Sequence, residues 1–162
     1  MNTDELEAIL PSGSGSEENV AAGADAAKDD SSQPSAFYLV IGLFKVARGW
    51  HDRGDIGAAE QIYSFILRIR DRNPLLKCPE FPQTLANLAA VRIAEGRYME
   101  AEHLYLQSLA SCAETIGEQN EICAEIMRDY AALLRRLKMC HEAGALEKRA
   151  DSAYHRALPV TI

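Results

Sequence analysis

The sequence predicts an all-α solenoid made of three helical hairpins. Three observations carry that prediction. First, residues 85–109 (LANLAAVRIAEGRYMEAEHLYLQSL) read as two amphipathic helices joined at Gly96. Leu85, Leu88 and Ala89 share one helical face, as do Tyr98, Ala101, Tyr105, Ser108 and Leu109. Second, the stretch matches the preceding sequence at a shift of 42 residues: Gly96 falls on Gly54, Ala101-Glu102 on Ala59-Glu60, Tyr105 on Tyr63, Leu109 on Leu67, Ala89 on Ala47 and Leu88 on Val46. Third, the same shift forward places Ala89 on Ala131, Ala101 on Ala143, Leu104 on Leu146 and Ser108 on Ala150. That third copy is weaker, with Lys138 at the glycine position and Glu147 at the tyrosine position. Three copies at one period are the signature of a repeat array, in which no hairpin buries its apolar stripe alone.

Taken from the N-terminus, residues 1–35 form an acidic tail. They hold eight acids and one base, Lys28, which accounts for the whole net charge of -7. The other 16 acids are balanced by 16 bases in residues 36–162. From Pro11 to Pro34 only Val20 is an apolar side chain larger than alanine. Such a segment buries too little surface to offset its ordering entropy, and disorder is expected. The first ten residues, MNTDELEAIL, differ: Thr3 suits a helix N-cap, and Leu6, Ile9 and Leu10 share one side of a helical turn. A solvated end is expected there, with a short acidic-hydrophobic recognition motif as the alternative.

The repeat domain is expected over residues 36–159, in copies of about 36–78, 79–119 and 120–159. Ser35 after Pro34 is expected to start a first helix over 36–52, followed by a second over 55–71 that ends at Asn73-Pro74. The loop RNPLLKCPEFP leads to a third helix over 82–95, and Gly96 to a fourth over 98–114. Residues 116–118 look poor in breakers, so the fourth helix is expected to run long. The fifth covers 120–137 and the sixth 140–156, stopped by Pro159. Ala47, Ala89 and Ala131 fall in the middle of each first helix, and Ala59, Ala101 and Ala143 early in each second. Small side chains there let paired helices approach closely.

These residues resemble the tetratricopeptide repeat (TPR) family, of the long-repeat kind seen in kinesin light chains. The resemblance rests on Leu85, Leu88-Ala89, Gly96, Tyr98, Ala101, Tyr105 and Ser108-Leu109, on their equivalents at the 42-residue shift, and on AGALEKRA from Ala143 to Ala150. It implies a right-handed superhelix and a protein-binding role without catalysis. The chain departs from the family where an aromatic closes the first helix: Trp50 fits, but Arg92 and Leu134 stand in the next two copies.

The resemblance also implies that the first helix of each pair lines a concave groove. Copy one would supply Phe44, Lys45, Arg48 and His51; copy two Gln83, Asn87 and Ala90; copy three Arg128, Ala132, Arg135 and Arg136. By helical angle 45, 48 and 52 share a side, while 46, 47 and 50 face the second helix. Asn87 matches the asparagine with which such proteins hold a peptide backbone, and the bases suit an acidic peptide. Asp52 and Asp129 reach the same surface and dilute that field. The lysine and asparagine set of the chaperone-binding two-carboxylate clamp is absent. The acidic tail is a second candidate occupant of the groove, at millimolar effective concentration.

The run AFYLVIGLFKVA, residues 36–47, is apolar on every side of a helix and too short to span a bilayer. Phe37, Tyr38, Ile41 and Phe44 are therefore expected at an interface with the tail, a partner or a second copy. Self-association through this helix is the alternative function. Cys78, Cys112, Cys123 and Cys140 form no metal or CxxC pattern and read as free thiols of a cytoplasmic protein, with Cys123 and Cys140 at packing faces. Cys140 and His141 are neighbours and point about 100° apart on a helix, which argues against a nucleophile pair. No phosphate loop, metal or cofactor site is expected, and the neutral domain does not suit nucleic acid.

Overall fold

The computed structural model describes residues 32–157, with side chains described from 35 to 156. The acidic stretch 1–31 lies outside the described residues, as do the last five. Among the described residues six helices follow one another: α1 (Ser32–Asp52), α2 (Ile56–Arg72), α3 (Glu80–Ala94), α4 (Tyr98–Thr115), α5 (Glu121–Arg136) and α6 (Cys140–Ala157). They form three hairpins, α1/α2, α3/α4 and α5/α6. The hairpins stack through α2 on α3 and α4 on α5, and α3 touches α1 and α5 along the inner side.

The turns inside the hairpins repeat as the sequence does. Gly54 and Gly96 take φ of 84° and 78°, and Lys138 takes 66° at the equivalent position without being glycine. The next residue's N–H reaches back to the helix in each case: Asp55 to the Trp50 carbonyl at 3.0 Å, Arg97 to Arg92 at 2.8 Å, Met139 to Leu134 at 2.9 Å. This is the Schellman closure, and it needs a left-handed residue between helix and bond. In the third copy the hydrogen bonds hold a lysine in a conformation that strains its Cβ.

α3 begins two residues earlier than the sequence predicts, at Glu80, and two further boundaries differ for a clear physical reason. α1 begins at Ser32, not 36, because a proline fits the first turn of a helix, where no N–H is needed. α4 stops at Thr115 because Gly117 takes φ of 81° and its N–H bonds the Cys112 carbonyl at 2.8 Å.

The core runs between the helices in two linked clusters. Ala47, Ala89 and Ala131, and Ala59, Ala101 and Ala143, are all fully buried, which lets the paired helices close on one another. Tyr63 packs with Phe44, Phe81 and Leu88 where the first two hairpins meet. At the next junction Tyr105 stacks on Tyr130 with centroids 5.5 Å apart, and within the second hairpin the buried Ser108 donates to the Pro82 carbonyl at 2.7 Å. At the position that Trp50 holds in the first repeat, Arg92 instead ion-pairs with Glu60 of the preceding hairpin and with Glu95. Cys78, Cys112 and Cys123 are buried; Cys140 is exposed, because it opens α6 rather than sitting in its packing stripe.

Candidate peptide-binding groove

The three first helices put their inner faces side by side and enclose a cavity of about 220 Å³. α3 supplies its middle, with Gln83, Ala86 and Asn87. Asn87 donates from Nδ2 to the Tyr63 hydroxyl at 3.0 Å. That bond fixes the amide and leaves its carbonyl oxygen and second hydrogen for a ligand. Tyr63 is itself held between Phe44 and His51, at ring centroid distances of 6.2 and 6.3 Å. Burial pushes its hydroxyl pKa up, against the opposing effect of the Asn87 bond, so it stays a neutral phenol.

The charges are divided between the walls. α1 brings Arg48 and His51, with Asp52 beside them; α5 brings Glu125 and Asp129. Asp129 is exposed as a residue, yet packing around its carboxyl raises its pKa, and the charge of Glu125 adds to the rise. The α5 wall thus concentrates negative charge that a cation would relieve. A shallower hollow continues the surface past Ala90, Asp129 and Ala132 to Arg136.

Of the residues expected at the groove, Arg48, His51 and Asn87 come together. Lys45 is exposed and does not line the cavity. Arg128 bonds Asp151 of α6 at 3.2 Å and lies over the Tyr154 ring, 5.1 Å from its centroid. Arg135 holds Glu147 of α6 with two bonds of 2.8 and 2.6 Å. At the 42-residue shift these arginines occupy the places of Phe44 and Ala86, and of His51 and Ile93, which face the following hairpin in earlier copies. Among the described residues no hairpin follows the third, and there α6 answers the arginines with acids. Glu125 stands at the shift position of Gln83, a signal that places it on the inner face.

The residues expected at an interface separate as well. Phe44 is 6% exposed and belongs to the core, because it packs on Tyr63. Phe37 and Ile41 are half-buried against the same cluster, and Tyr38 is exposed. Val46 is exposed too and does not face α2; it stands with Leu39 on the outer side of α1.

No curated protein matches the chain. The tetratricopeptide repeat family model matches residues 80–154, the second and third hairpins. Over those residues the chain is built of tetratricopeptide repeats. Its first hairpin lies outside the family match. Among solved structures the TPR domain is similar to the crystal structure of BtubC (BKLC) from P. vanneervenii, with a TM-score of 0.66 and 19% identity over 76% of this chain and 49% of that one. The chain therefore spans about half the length of that neighbour. TPR repeats generally mediate protein–protein interaction. Among the described residues no helix is long and apolar enough to cross a membrane, and no group of three or more His, Cys, Asp or Glu is placed to hold a metal ion.

Proposed function

We propose that this TPR protein is a non-enzymatic adaptor, acting in the cytoplasm, that holds an extended segment of another protein along the inner face of its three first helices. The observation that supports the reading best is the placement of Asn87. Its amide is oriented by Tyr63 in the middle of a cavity bounded by all three repeats. A side-chain amide in that setting offers one donor and one acceptor, which match the backbone of an extended chain. The divided charge adds direction. An acidic residue of the ligand would meet Arg48 and His51, and a basic residue would meet Glu125 and Asp129. A uniformly acidic ligand suits the groove less well, because Arg128 and Arg135 are engaged with α6.

Selection of peptides from a displayed random library tests this. Enriched sequences with an acidic and a basic residue a few positions apart, whose binding Asn87→Ala weakens about tenfold, support the reading. Enriched peptides that bind Asn87→Ala and Arg48→Glu as well as the parent refute it.

A further inference from the structure

The outer face of α1 has the make-up of a buried face. At the 42-residue shift Leu39 corresponds to Phe81 and Cys123, and Val46 to Leu88 and Tyr130. Those equivalents are 1%, 0%, 4% and 7% exposed, because each packs on the second helix of the hairpin before it. Leu39 and Val46 are 45% and 49% exposed. With the half-buried Leu43 and Trp50 they form a seam at spacings of four, three and four, and no charge interrupts it. Gly42 and Gly49 run alongside, with open space where a side chain would stand.

We propose that this seam is covered by the chain's own N-terminal residues 4–10. Leu6, Ile9 and Leu10 repeat the spacing of Ala59, Ile62 and Tyr63, the part of α2 that shares a buried cluster with Phe81 and Leu88. In a helical register Glu5 and Glu7 flank that stripe. The α1 seam ends under Arg53, whose guanidinium lies over the Trp50 ring, 5.4 Å from its centroid, and α1 holds no acid before Asp52. Residues 11–31 carry one apolar side chain larger than alanine, Val20, and supply the connection. Twenty-one such residues span about 25 Å on average. Leu39 to Val46 lie about 10 to 21 Å along the helix from Ser32. The effective concentration of the segment is therefore about millimolar. A second copy is disfavoured in both arrangements. Head-to-tail stacking would set α1 against α6, where Glu147 and Asp151 replace the apolar stripe, and a two-fold pairing of α1 with α1 brings like charges together.

Trp50, the chain's one tryptophan, closes the seam one turn beyond Val46 and reports on it. The test compares the full-length chain with its Leu6→Asp/Ile9→Asp/Leu10→Asp variant by Trp50 emission and acrylamide quenching over a range of protein concentrations, with sedimentation velocity alongside. Circular dichroism checks that the helices are retained. The proposal expects concentration-independent protection in the parent, and a red shift with faster quenching in the variant. A milder variant, Glu5→Lys/Glu7→Lys, keeps the apolar residues and shows a smaller shift in the same direction. Equal emission and quenching in parent and variant overturn the proposal by showing a bare seam. Protection that grows with concentration together with a doubled mass overturns it in favour of a second copy.

Discussion

The two ends of the solenoid face the same problem and solve it differently. At the C-terminal end the positions that pack on a following hairpin have become charged: Arg128 and Arg135 on α5, Glu147 and Asp151 on α6, joined in two ion pairs. These pairs are exposed and contribute little to stability. What they do is replace with charge the apolar stripe that the first two hairpins present to the next one. At the N-terminal end no such exchange has occurred, and Leu39 and Val46 remain where inner repeats carry buried residues. The two faces are therefore chemically unlike, charged on α5 and α6 and apolar on α1.

The comparison is broken most severely by making the ends alike. Glu147→Tyr with Asp151→Leu restores the internal pattern on α6. Because the α1 seam is complementary to such a face, head-to-tail association is expected, and it does not close on itself. Sedimentation velocity should show species growing with concentration, most strongly when Leu6, Ile9 and Leu10 are replaced as well. The inner and outer versions of one position should also differ in cost. Phe81→Ala is expected to lose about 3 to 5 kcal/mol in urea unfolding, and Leu39→Ala about 0.5 kcal/mol when Leu6, Ile9 and Leu10 are replaced by aspartate and the seam is bare.

Smaller effects sit at the turns. Gly54 and Gly96 accept their positive φ freely, and Gly96→Ala should lose about 1 kcal/mol. Lys138 makes the same turn under strain, so Lys138→Gly should gain up to about 1 kcal/mol, offset in part by a more flexible unfolded chain. The smallest effect concerns the groove. The raised pKa of Asp129 means that its contribution to stability is complete below the ordinary aspartate range and is lost as pH rises through the raised value. Asp129→Asn should therefore raise the melting temperature slightly at neutral pH and leave it unchanged in strong acid, while weakening any ligand that places a cation there.

The fold was legible because the repeat is written in residue size. Alanines and glycines at one period state where helices touch and where the chain turns. The turn at Lys138 was legible from the repeat, but its left-handed backbone was not, since that is imposed by the Schellman bonds and not by the residue's own preference. The end of α4 was legible in Gly117, whose φ is 81°. In the groove, Asn87, Arg48 and His51 followed from the family resemblance, which implies that the first helix of each pair lines the inner face. Arg128 and Arg135 did not, because their direction depends on their being in the last hairpin, which the repeat pattern alone treats like the others. The shift register, applied one position at a time, would have moved Val46 to the outer face and Glu125 to the inner one.

The account rests most on the direction of charge across the inner face. Its direct test is a calorimetric titration of two peptides of one composition, with the acidic and basic residues exchanged in order, against the parent and against Arg48→Glu/Asp129→Lys. The parent should favour one order by about tenfold, and the charge-swapped chain should favour the other. Equal affinity of both peptides for both chains would contradict a directional groove.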